Sequence, residues 1–271
     1  MKYFIIFFLF FVTLYAQKPL NFVRQEVNWT KYEKLINSEL RDSLITILQK
    51  TQEIEYPIEF NKFFHFLDID NDGLLDIFFN SDVGAEVPLI LVFQQNTNGF
   101  DKIFEQYGLI VDIEMPSKIC FFQFQIYLPP CCAGTIEHFY DYVATNESGK
   151  INFVKINNFA FPYGLKFPEK YFENPIAFKT VNEQYKLRLE PIINDTTQYF
   201  IDTIGNTITI YPENSQGYAL SEFLDETGRI WWFVIMKNNR KPIMNLIYPG
   251  FHDKKDYFTI GWMSSRFLKR I

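Results

Sequence analysis

The chain runs to 271 residues, enough for one large domain or two ordinary ones, and 31 of them are phenylalanine, ample for β-rich cores. A net charge of −6 and a pI near 5.2 argue against a nucleic-acid binder, because no basic surface is available to release counterions from phosphates. They leave a cationic or neutral ligand open.

Residues 1–16 have the makings of a signal peptide. Lys2 supplies a short positive region, Tyr3 to Tyr15 an apolar core, and Ala16 a small residue before a cut. The apolar run, about thirteen residues, falls short of the roughly twenty that span a bilayer. Cleavage is expected, with an uncleaved anchor as the alternative. The cleaved chain would not span a membrane and would be secreted or periplasmic. No cysteine directly follows the apolar core, which argues against a lipoprotein.

One helix comes next. Thr30 with Glu33 reads as a capping box, and Ile36, Leu40, Leu44, Ile47 and Leu48 recur at helical spacing up to about Gln52. From Phe63 to about Asn157 the pattern is an antiparallel meander. Strands are expected at Phe63–Leu67, Leu75–Phe79, Leu89–Gln94, Leu109–Glu114, Ile119–Leu128, Ile136–Ala144 and Ile151–Ile156, with Asn/Gly and Pro-Pro turns between them. Short connections favour antiparallel pairing. The expected fold is mainly β, an antiparallel β-sandwich or meander with one N-terminal helix.

Between the first two of these strands lies Asp68-Ile69-Asp70-Asn71-Asp72-Gly73-Leu74-Leu75-Asp76, four carboxylates in nine residues. Asp68, Asp70 and Asp72 can each turn one oxygen inward. Gly73 permits a sharp bend, Leu74 offers a backbone carbonyl, and Asp76 closes the cage. Calcium takes six to eight oxygens at roughly 2.3–2.6 Å, and a cation relieves the repulsion among crowded carboxylates. An EF-hand fails, since position 12 counted from Asp68 is Phe79 rather than Glu and the flanks read as strands. An acidic turn that holds no ion is the alternative. The spacing resembles the DxDxDGxxD loops of FG-GAP and VCBS repeats, found in integrin-like propellers and many secreted bacterial proteins. Those families repeat the unit, and no second copy occurs here, which argues against a full propeller. Calcium as a structural cofactor fits export.

The three cysteines, Cys120, Cys131 and Cys132, cannot all pair within one chain. Cys120 shares the alternating face of Phe122, Phe124, Ile126 and Leu128. On a straight strand it would sit roughly 25 Å from Cys131, at about 3.3 Å per residue, beyond disulfide reach. For Cys131 and Cys132 a vicinal disulfide, a soft-metal site and two free thiols all stand open.

Between Asn158 and Asn182 the pattern turns irregular, with Pro162, Gly164, Pro168 and Pro175. This suggests a calcium-loop domain over 17–160, a linker over 161–180 and a second domain over 181–271. In the second, short alternating strands lie in Leu187-Arg188-Leu189-Glu190-Pro191, Gly205-Asn206-Thr207-Ile208-Thr209-Ile210-Tyr211, Gly228-Arg229-Ile230-Trp231-Trp232-Phe233-Val234 and Gly261-Trp262-Met263-Ser264-Ser265-Arg266-Phe267-Leu268. These segments resemble a bacterial Src-homology-3-like domain. The resemblance implies a small β-barrel with an aromatic-lined groove for a cell-wall peptide or a protein partner. The stretch from Lys237 to Lys255 is longer than that family's usual hairpin. Adjacent Trp231 and Trp232 must face opposite sides of a strand, so one is expected in the core and the other partly exposed. Tyr218, Trp262 and Tyr248 would join the exposed ring as a ligand platform, packing alone being the other role open to them.

No HExxH, CxxC or GxSxG occurs, and His65, His138 and His252 lack an evident catalytic partner. No catalytic residue is assigned. The expectation is a secreted, non-enzymatic binding protein with a structural calcium site and a C-terminal recognition module. The alternatives are an exported hydrolase, its site near the calcium loop or Cys131-Cys132-Ala133-Gly134, and a structural surface component.

Overall fold

A computed structural model describes residues 22–52, 58–81, 87–116, 121–130, 135–200, 203–247 and 257–271. The expected signal peptide, all three cysteines, Tyr248 and His252 lie outside these residues. The described chain is mainly β, with antiparallel sheets and one α-helix, as expected. No described helix is long and apolar enough to cross a membrane. The chain divides into two compact units, one holding residues 23–134 and 138–158, the other 135–137 and 159–271 with Phe22.

In the first unit the helix, α1 (Ser38–Gln52), starts at Ser38 and not at Thr30. Asn37 is the residue that caps it, its side-chain oxygen accepting the Leu40 amide at 2.8 Å. Thr30 lies instead in a short 3-10 turn, Trp29–Lys31, capped by Asn28. Glu33 turns away to His65 and closes no box. The helix buries Leu44, Ile45 and Leu48, while Leu40 and Ile47 stay exposed at the margin of the stripe.

The helix covers one face of an antiparallel sheet ordered β1 (Phe64–Leu67), β2 (Asp76–Ser81), β3 (Leu89–Asn96), β4 (Gly99–Tyr107). Strand β4 was not expected. Its middle, Asp101-Lys102-Ile103-Phe104-Glu105-Gln106, mixes charge with apolar residues and lies half exposed, so it carries little alternation. Four more strands follow: β5 (Leu109–Glu114), β6 (Gln123–Leu128), β7 (Ile136–Glu147) and β8 (Lys150–Pro162), hydrogen-bonded in that order. Within the first unit they pack on the other face of the β1–β4 sheet. Phe64, Phe66, Ile77, Phe79, Leu91 and Phe93 point to the helix. Phe78, Ile90 and Val92 point to Ile110, Phe122, Phe124, Ile126, Tyr140 and Tyr142. This is a sandwich with a helix over it. Because both faces of β1 and β2 are covered, every residue in them is buried, the polar His65, Asp76, Asn80 and Ser81 included. Each fully buried Phe or Ile contributes roughly 1.5–3 kcal/mol. Strand β1 forms one edge of its sheet, and its outward carbonyls are taken: the Lys34 amide donates to Phe66 O at 3.0 Å and Arg41 Nη2 to Phe64 O at 2.6 Å.

The second unit contains β9 (Ile176–Thr180), β10 (Tyr185–Arg188), a small pair β11 (Gln198–Phe200) and β12 (Thr203–Ile204), then β13 (Thr207–Tyr211), β14 (Gln216–Leu224), β15 (Ile230–Met236), β16 (Met244–Asn245), β17 (Phe258–Ser264) and β18 (Leu268–Arg270). Strand β9 falls inside the stretch expected as a linker. Its alternation resumes right after Pro175, and it pairs with β14 on one side and β18 on the other, with Phe178 fully buried. Strand β17 pairs with β15 along one edge. On its other edge Phe258 and Thr259 run parallel to Phe159 and Ala160 of β8, and Trp262 opposes Arg188 of β10. That approach requires Gly261, where a Cβ would stand 2.8 Å from Arg188 O.

Candidate metal centre

The β1–β2 connection is the DxDxDGxxD segment, and its backbone is shaped by its own side chains. The Asp72 amide donates to Asp70 Oδ1 at 3.3 Å, and the Leu74 amide to Asp72 Oδ1 at 2.8 Å. These are two Asx turns in succession. Between them Asn71 and Gly73 take positive φ values of 59° and 89°, conformations that Asn tolerates and Gly adopts freely. A Cβ at Gly73 would meet nothing within 4 Å, so the glycine answers to backbone conformation alone.

This winding gathers Asp68, Asp70 and Asp72, whose carboxylate oxygens lie within 4.8 Å of one another. Two oxygens on one ion at about 2.3–2.6 Å are at most about 4.6–5.2 Å apart, so the cluster can hold a metal ion. Each pair of charges at this spacing repels by about 1 kcal/mol in bulk water and by roughly 3–4 kcal/mol at an effective dielectric near 20. No described Lys, Arg or His pairs with them. Asp68 is only 9 % exposed, and its Oδ1 is buried with no hydrogen-bond partner. A buried acceptor without a donor is costly unless something electropositive faces it. The donor set is all carboxylate, the choice of hard cations.

Of the other two residues named from the sequence, Asp76 lies outside this cluster of side-chain oxygens. Leu74 is exposed, its amide closing the second Asx turn. Asp76 is 2 % exposed and braces the loop from behind: Oδ2 accepts the Ile69 amide at 3.1 Å and Oδ1 the Gln95 amide at 3.0 Å. Burial raises the Asp76 carboxyl to about 7, with the charges of Asp70 and Asp72 adding and the two amides opposing. Burial also raises Asp70, helped by the neighbouring Asp72.

Two glutamines that sequence reasoning passed over complete the surroundings. Gln95 Oε1 accepts the Leu75 amide at 2.8 Å. Gln94 Nε2 donates to Asp70 Oδ2 at 3.3 Å and to Gly149 O at 3.0 Å, while its Oε1 accepts the Ile151 amide at 3.1 Å. As neutral residues at the end of a strand they carry no chemical signature, and only their pairing across the sheet brings them to the loop. His65, three residues before Asp68, bonds Glu33 and stacks on Trp29 with ring centroids 3.9 Å apart. Burial lowers its pKa against the pull of Glu33.

The raised carboxyls set a pH dependence. A carboxyl whose folded pKa lies above its ordinary value of 3.8 holds its proton more tightly in the native state. The contribution of these carboxyls to native stability therefore declines as pH rises from about 4 through about 7. In chelator, urea midpoints at pH 5 are expected above those at pH 7.5; the reverse order would contradict the raised carboxyl of Asp76.

Among the described residues, the tryptophans named for a ligand platform in the second unit do not form an exposed surface. Trp231, Trp232 and Trp262 are 1 %, 5 % and 2 % exposed. Trp231 and Trp232 alternate across β15 as expected, but both faces are covered. The Trp231 indole N–H donates to Asp225 Oδ2 at 2.8 Å, and Trp232 packs on Phe178 under Arg270. Trp262 lies against Phe233 and donates to Lys166 O at 2.6 Å. Tyr218 is half-buried beneath Lys237. The three tryptophans are core residues.

Compared with known proteins, the chain matches no protein-family model, no curated protein and no solved structure.

Proposed function

We propose that this chain is an exported, non-enzymatic binding protein whose first unit is fastened by a calcium ion in the Asp68–Asp72 loop. The observation that carries the ion site is the buried, donorless Oδ1 of Asp68 beside two further carboxylates that have no cationic partner among the described residues. Three further points support it. The donors are all oxygen, with no imidazole or thiolate in the cluster, which favours a hard ion over zinc or copper. Magnesium is the poorer fit, because it prefers shorter bonds near 2.0–2.1 Å and keeps its waters. The spacing also resembles that of FG-GAP and VCBS loops, where the ion is calcium.

The ion's role in this reading is to hold rather than to react. The loop carboxylates are engaged by backbone amides or aimed at the cation, and the site joins two fully buried strands. Export belongs to the same reading, since extracellular modules work with calcium affinities of about 10⁻⁴–10⁻³ M. Recognition of a cell-wall peptide or protein partner by the second unit belongs to the same proposal, supported by its Src-homology-3-like segments and not by its tryptophans.

The test is calorimetric titration of metal-free protein with calcium. The native chain is expected to bind one ion, and Asp68→Ala to weaken binding at least tenfold. No heat from the native chain, or an unchanged isotherm for Asp68→Ala, overturns the reading.

A further inference from the structure

We infer that Gln94 is the positioning residue of the ion site, and that through it ion binding is transmitted to the turn between β7 and β8. The inference rests on the calcium reading above and goes further, giving that site a second anchor point and a route outward.

Gln94 stands near the end of β3, 8 % exposed, with its amide group between two loops that are far apart in sequence. One is the carboxylate loop, which it reaches through Asp70 Oδ2. The other is the turn Glu147-Ser148-Gly149-Lys150. There it gives a hydrogen to Gly149 O and accepts one from the Ile151 amide, gripping the backbone on both sides of Lys150. The turn is wound tightly, with Ser148 and Gly149 at positive φ values of 58° and 86°, and Asn146 Oδ1 holds the Gly149 amide at 2.9 Å.

An amide suits this position for a chemical reason. Its nitrogen donates to a carboxylate and to a carbonyl at once, while its oxygen remains free for a backbone amide. A lysine would neutralise Asp70 and compete with the ion; a glutamate would repel it. Gln94 therefore fixes the direction of one ligand oxygen without altering the site's charge. The contact to Asp70 is the longest of its three, at 3.3 Å. When a cation draws Asp70 inward, Gln94 must follow or let go, and either response is felt at Gly149 and Ile151.

The experiment combines calcium titration with residue-resolved amide exchange. In native protein, calcium is expected to change the exchange rate of the Ile151 amide about tenfold and that of Ile126, in the middle of β6, much less. Gln94→Met keeps the side chain's length and removes its hydrogen bonds. It is expected to raise the calcium Kd about tenfold and to abolish the calcium response at Ile151. A purely structural glutamine would lower the melting point in chelator and leave Kd unchanged. If native protein binds calcium but Ile151 and Ile126 respond alike, or Kd is unmoved in Gln94→Met, the transmission is wrong and the calcium reading survives. No calcium heat from native protein removes both. Should Gln94→Met fail to fold, the comparison of Ile151 with Ile126 in native protein decides the matter.

Discussion

Adding chelator to calcium-saturated protein is expected to lower the melting midpoint of the first unit by roughly 5–10 °C. At a hundredfold excess over Kd, an ion that binds only the native state adds about 2.7 kcal/mol. For a unit of this size each kcal/mol moves the midpoint by roughly 2–4 °C. The effect falls on the first unit because Asp68 and Asp76 flank the connection between β1 and β2, the strands whose residues are all buried. Differential scanning calorimetry with and without chelator measures it. Identical traces would mean that the loop's charges are balanced without a metal.

Truncation of Trp262 to alanine is expected to destabilise the second unit by about 3–5 kcal/mol, the range for emptying a buried aromatic site. The ring is 2 % exposed and packs edge-on against Phe233 at 5.2 Å and Phe223 at 6.3 Å. Its loss also leaves Lys166 O without the indole donor. Beside it Gly261 already brings the backbone against Arg188, so the strand has little room to collapse into the space. Urea unfolding of native and variant protein gives the difference. A loss under about 1 kcal/mol would be too small for a core residue and would return the ring to the surface.

How much of this is legible in the sequence depends on the range of the forces involved. The carboxylate loop is, because Asx turns and a positive-φ glycine are local events written in adjacent residues. The β-rich class and the sandwich followed from alternation and turn chemistry. The helix start was misread, since Thr30 and Glu33 satisfy a local rule that a distant partner, His65, overrides. Strand β4 was hidden by its polar middle. For the tryptophans, parity correctly set Trp231 and Trp232 on opposite faces. It could not show that Phe178 and Arg270 cover one face and Asp225 holds the ring on the other. Gln94 was invisible for the same reason: nothing within ten residues of it names its partners.

The guarded margin of β1 has a consequence for solubility. A buried, mostly apolar strand at the rim of a sheet is a natural template for fibrous assembly, because a second chain can extend the ladder. Here the backbone of Lys34 and the guanidinium of Arg41 occupy the positions an incoming strand would need. The helix and the segment leading into it thus act as a stopper against polymerisation. The outer rim of Phe64-His65-Phe66-Leu67 is thereby closed to a further strand by its own neighbours.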